Sequence, residues 1–129
     1  MKIPRSLELE EGERPLGSWT CGIPSSPESA TVKYEGTLVL TDRRVLYEPS
    51  AIFRRLGFGG LGGPRKSFQL DLVQRAAPVD ERVPRLKIVL HGQDPFVVIV
   101  SGSRFSLPWS KRKWIALEDV VERINALIG

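Results

Sequence analysis

Apolar residues recur at every second position through most of the chain, and at every third or fourth only after Pro108. That change of period is the strongest constraint on the fold. A period of two puts alternate side chains on one face of a strand, and spacings of three and four put them on one face of a helix. The chain is therefore a run of short strands followed by one terminal helix.

The strand signals are local. Val32, Tyr34, Leu38 and Leu40 fall on one face, with Lys33, Glu35 and Thr37 between them. Thr41-Asp42-Arg43 is a short polar break, and Arg44-Val45-Leu46-Tyr47-Glu48 resumes as the second arm of a hairpin that Pro49 ends. Residues 67–73 alternate again, with Phe68, Leu70 and Leu72 expected inward and Gln69 and Asp71 outward. Residues 85–90 and 96–100 form a pair around the turn chemistry of His91-Gly92-Gln93-Asp94-Pro95. An earlier strand is expected at 16–23 and a short last one at 104–107, while 76–84 reads as a loop.

After Pro108-Trp109-Ser110 the apolar positions are Trp114, Leu117, Val121, Ile124 and Ile128, with Val120 and Leu127 widening the stripe. Ser110 has the chemistry of an N-cap. Trp114, Leu117, Val121 and Ile124 are expected to be buried. Six or seven antiparallel strands of this size must curl or stack to bury one face, which leaves an end that an amphipathic helix can plug. Trp109 suits either the seal of that end or an interface.

Length and composition narrow the class. A chain of 129 residues, 41% hydrophobic and 26% charged, has the size and balance of one globular domain. We expect a single domain over 1–129, with its core at about 14–128 and 1–13 as a short arm. One cysteine, Cys21, excludes an internal disulfide and a cysteine-based zinc site. Phe96–Val100 is the longest apolar run, far below the ~20 residues of a membrane span. A soluble cytoplasmic protein, peripheral at a membrane, is the expectation.

The hairpin Tyr34-Glu35-Gly36-Thr37-Leu38-Val39-Leu40-Thr41-Asp42-Arg43-Arg44-Val45-Leu46-Tyr47 resembles the signature hairpin of GRAM-type and bacterial PH-like domains. Phe68-Gln69-Leu70-Asp71-Leu72-Val73 resembles a later segment of the same families, and the final helix stands where theirs does. The resemblance covers most of 14–128. It implies a mainly-β fold: a PH-like antiparallel barrel of about seven strands in two near-orthogonal sheets, capped by the C-terminal helix. It also implies a binding module rather than an enzyme. Phosphoinositide-binding relatives carry a basic pattern in the first hairpin loop, whereas residues 24–31 here contain Glu28 and no Lys or Arg. Any anion site must lie elsewhere.

Charge points to where. Residues 1–35 hold four cations against six acids, whereas 43–66 hold six cations against Glu48 alone. A second basic island, 104–114, contains Arg104, Lys111, Arg112 and Lys113 with no acid. Between 49 and 66 the cations Arg54, Arg55, Arg65 and Lys66 are mixed with Ile52, Phe53, Leu56, Phe58 and Leu61. Cations that meet anionic headgroups and apolar tips that enter the interface make such a segment suited to a bilayer surface. The alternative is that its apolar residues fold back onto the barrel. The candidate contact residues are Phe53, Arg54, Arg55, Phe58, Arg65, Lys66, Lys111, Arg112 and Lys113. The partner is an anionic membrane surface or a protein. Nucleic-acid binding through the basic islands and self-assembly through a sheet edge are the other readings.

Catalysis and cofactors are not expected. Gly57-x-Gly59-x-x-Gly62 matches a dinucleotide-binding pattern by letter, but a strand rather than a helix follows it. Lys66-Ser67 lacks the preceding glycine of a P-loop, since Arg65 stands there. His91 reads as a turn residue, Cys21 as a small buried one, and Asp80-Glu81 as a solvated turn. No metal-ligand spacing is present.

Overall fold

The computed structural model describes residues 2–50, 64–80, 82–102 and 111–129. Its elements are β1 (Pro15–Pro24), β2 (Val32–Thr41), β3 (Arg44–Pro49), β4 (Lys66–Gln69), a 3-10 turn (Leu70–Leu72), β5 (Val73–Pro78), β6 (Arg85–Leu90), β7 (Phe96–Gly102) and helix α1 (Lys111–Ile128). The seven strands form one antiparallel sheet in the order β4-β3-β2-β1-β7-β6-β5. β1 belongs to both halves, pairing with β2 along its length and with β7 at Thr20, Cys21 and Gly22.

Connectivity forces this sheet to curl. β4 and β5 are its opposite edges, yet only Leu70–Leu72 separate them in sequence. Six strand spacings would hold the edges of a flat sheet ~29 Å apart. Three intervening residues reach at most roughly 14 Å. Ring contacts report the same curvature: Phe68 of β4 lies 5.3 Å from Phe96 of β7, centroid to centroid, across a sheet in which their strands are four places apart. The hollow is filled by Leu38, Leu40, Val45 and Tyr47 from one half, Leu86, Ile88, Val98 and Val100 from the other, and Leu117, Val120 and Ile124 of α1.

The hairpin of β2 and β3 falls where the alternation places it. Gly36 is required there by close approach: a Cβ would stand 2.4 Å from the Glu48 carbonyl oxygen and 2.7 Å from the Tyr47 ring. Three expectations need correction. Residues 67–73 are not one strand. They comprise β4, the 3-10 turn and the first residue of β5, and Leu72 is 39% exposed because it sits in that turn rather than in a pleat. Part of the expected 76–84 loop is strand, since β5 runs to Pro78 and buries Ala76. On α1, Leu117 and Ile124 are buried as the spacing predicts, but Trp114 and Val121 are only half-buried and Val120 takes the centre. Strand 104–107, the Ser110 cap and Trp109 lie outside the described residues.

Helix α1 packs mainly on β5 and β7. It also closes the β5 edge. The Ala76 amide donates to Asn125 Oδ1 at 2.8 Å, and Asn125 Nδ2 donates to the Ala76 carbonyl at 2.9 Å, so one side chain replaces a neighbouring strand. Two residues on, Pro78 has no N–H to leave unpaired.

Candidate functional site

Antiparallel pairing puts the β1–β2 and β3–β4 connections at one end of the first half-sheet and the Thr41–Arg44 turn at the other. Two hydrogen bonds fix the direction of α1 relative to β1. Trp19 Nε1 donates to Asp119 Oδ2 at 3.1 Å, and Arg123 Nη1 donates to the carbonyl of Leu16 at 2.8 Å. The first turn of α1 therefore points toward the β1–β2 connection. Arg85, almost wholly buried, ties this end together: its guanidinium donates to the carbonyls of Pro27 and Glu28 and lies 3.6 Å from Asp80. The acidic pair is thus partly structural at Asp80, while Glu81 is outside the described residues.

At this end Arg65 precedes β4 and chelates Glu48, with Nε 3.0 and 2.9 Å from the two carboxylate oxygens and Nη2 2.8 Å from Oε1. The Glu48 side chain is 1% exposed and that of Arg65 is 52% exposed, so a buried carboxylate is answered by a guanidinium at the surface. This pair raises the Arg65 pKa further. Lys66 is exposed at the start of β4, Lys111 and Arg112 are exposed in the first turn of α1, and Lys113 is half-buried beside them. Lys66, Lys111 and Lys113 have no ion pair among the described residues. Phe53, Arg54, Arg55, Phe58 and the glycines Gly57, Gly59 and Gly62 lie outside the described residues.

The opposite end shows what the charge count could not. Arg43 and Arg44, which contribute to the first basic island, are paired within the chain. Arg43 Nη1 lies 3.1 Å from Glu10 Oε2. Arg44 grips Glu13 through Nε and Nη2, both at 2.8 Å, and Glu13 is buried. The Thr41 hydroxyl donates to Glu13 at 2.7 Å and accepts the amides of Arg43 and Arg44 at 3.1 and 3.0 Å. The Arg44 guanidinium is the main cause that holds the Glu13 carboxyl at about 2, assisted by Thr41 and the Glu10 amide against the cost of burial.

The acidic N-terminal segment thus neutralises part of the basic island. It lies across the outer face of the sheet, where Ser18, Val39, Leu46 and Ser67 form one cross-strand row. Ser18 Oγ donates to the Lys2 carbonyl at 2.8 Å, and Ser6, Leu7 and Glu8 line a cleft of about 500 Å³ with Leu46 and Ser67. Val39 and Leu46 are buried although neither belongs to the core cluster, and the N-terminal residues line the cleft at Leu46. The available signal was Glu10-x-x-Glu13 set against Arg43-Arg44, two acids and two cations of matching number in segments of opposite sign.

His91 is exposed in the β6–β7 turn. Cys21 is buried in β1, and burial pushes its thiol pKa far up, so no thiolate is available in the folded chain. Among the described residues no group of three or more His, Cys, Asp or Glu could hold a metal ion. No described helix is long and apolar enough to cross a membrane.

No known family profile matches the chain, and no curated protein matches it. Among solved structures, the C-terminal domain of an unknown protein from Leishmania infantum is similar, with a TM-score of 0.54 and 16% identity over 88% of this chain and 86% of that one. At that identity the likeness speaks for the fold. The Vps36 N-terminal PH domain superposes more loosely, with a TM-score of 0.44 and 19% identity over 89% and 86% of the two chains. The chain is a mainly-β domain of seven antiparallel strands in a curled sheet with one C-terminal helix. Seven antiparallel strands and a C-terminal helix are what the PH-like resemblance of its β2–β3 hairpin implies, with the two expected sheets joined through β1 into one curled sheet.

Proposed function

We propose that this chain is a non-catalytic PH-like binding module that meets an anionic membrane surface with segment 49–66 and the first turn of α1. What supports this reading is that β3 leaves the sheet and Arg65 and Lys66 re-enter it on the side toward which the first turn of α1, with Lys111–Lys113, runs, while the sequence between carries Arg54 and Arg55. Each cation near such a surface contributes about 1 kcal/mol. Arg65 contributes less, because leaving Glu48 strands a buried carboxylate. Phe53 and Phe58 supply the apolar tips.

Sedimentation with vesicles tests the reading. Binding to vesicles rich in anionic lipid, and less to neutral ones, is the expected result. No sedimentation with anionic vesicles at low salt would sink the membrane reading and move a protein partner at the same end to first place.

A further inference from the structure

Beside the end of β5, the outward side of α1 forms an open groove of about 710 Å³. Its apolar part consists of Pro78, Trp114, Leu117 and Val121. Two exposed apolar residues extend it: Val79 follows Pro78 at 46% exposure, and Ile115 is 63% exposed, more than any other large apolar side chain among the described residues. Ile115 precedes Glu118 and Glu122 by three and seven residues, so all three share one side of the helix. The exposed side of a helix whose opposite face already fills the core has no structural need of an isoleucine.

The groove is rimmed by carboxylates: Asp80 on one wall, Glu118 and Glu122 on the other. Asp80 is engaged by Arg85 and by the Arg82 amide. Glu118 and Glu122 have no ion pair among the described residues, although the protein as a whole carries a charge of +4. At one turn apart they repel each other, which a cationic partner would relieve. Carboxylates exclude an anionic lipid surface or nucleic acid as the occupant. Lys111, one turn before Ile115, makes the near end of the groove basic and leaves the Glu118–Glu122 stretch for cations.

We infer that this groove docks a cationic segment of a partner protein. The chemistry specifies two lysines or arginines about 6 Å apart, one helical turn, flanking a large apolar side chain that packs between Trp114, Val121 and Ile115. This surface adjoins the basic end proposed to meet lipid, at Lys111 and Asp80, and its Glu118–Glu122 stretch carries the opposite charge.

Fluorescence anisotropy on the full chain tests it, using a labelled amphipathic Leu/Lys peptide with lysines one turn apart and a Leu/Glu counterpart. The Lys peptide should bind saturably, roughly tenfold tighter than the Glu peptide, and weaken with salt. Glu118→Lys with Glu122→Lys should reverse the preference, and Ile115→Ser, which removes the apolar contact without adding charge, should weaken both peptides. Glu118, Glu122 and Ile115 are exposed, so an unchanged thermal melt is the expected control for all three. Failure of the Lys peptide to saturate the wild type, or equal binding to the charge-reversed chain, would overturn the inference.

Discussion

Glu13 is the residue on which the N-terminal segment depends. Its side chain is excluded from solvent, and its oxygens are used by Arg44, Thr41 and the Glu10 amide. Its folded carboxyl titrates near 2, against an ordinary value of 4.5. A displacement of that size corresponds to on the order of 3 kcal/mol. The contribution is complete above pH 4.5 and disappears as pH falls through 2, because protonation then no longer distinguishes folded from unfolded chain. Glu13→Gln should therefore lower stability by on the order of 3 kcal/mol at neutral pH, and urea titrations should show the gap from wild type closing toward pH 2. A gap independent of pH would mean that shape rather than charge matters at this position. Gly36→Ala probes packing at the same scale. Its Cβ meets backbone and ring within 2.7 Å, so a loss of about 1–3 kcal/mol is expected in the same assay.

At the scale of elements, α1 has two jobs that its sequence announces unequally. The apolar stripe fills the hollow of the sheet, and Leu117→Ala should cost ~2–5 kcal/mol as a core truncation. A loss below about 0.5 kcal/mol would place that face outside the core. The second job falls to Asn125, which substitutes for a strand beside Ala76. Asn125→Ala should speed hydrogen exchange at the Ala76 amide while leaving the β6-bonded amides of β5 protected, and destabilise by about 1–3 kcal/mol. Uniform acceleration along β5 would instead show that the whole edge had detached.

For the molecule as a whole, charge is sorted by pairing. Three arginines are consumed internally, Arg43 with Glu10, Arg44 with Glu13 and Arg65 with Glu48. Lys66, Lys111 and Lys113 have no ion pair among the described residues, and the sequence adds Arg54 and Arg55 between β3 and β4. If charge dominates the proposed membrane contact, rising salt should release the protein from anionic vesicles as the screening length falls to ~3 Å near 1 M. Arg54→Glu with Arg55→Glu should then weaken vesicle binding more than Phe58→Ala does. The reverse order in a sedimentation assay would mean that apolar insertion dominates. Arg43→Glu, at the other end, should affect stability before it affects binding.

Period alone determined the class of fold: alternation at 32–48 and 85–100 specifies strands, and the stripe from Trp114 to Ile128 specifies the helix. These are local properties, since each residue's face depends only on its neighbours in the chain. Tertiary structure decided three other things. Residues 67–73 alternate as a strand would, yet they turn the corner between opposite edges of the sheet, because closure of a curled sheet is a property of all seven strands. The apolar Val39 and Leu46 are buried outside the core cluster, and Leu46 shares its cleft with Ser6, Leu7 and Glu8 of the N-terminal segment. The basic island read along the chain is divided in space, since an ion pair depends on distance and burial rather than on composition. Arg43 and Arg44 meet acids some thirty residues away, while Lys66 has no ion pair among the described residues.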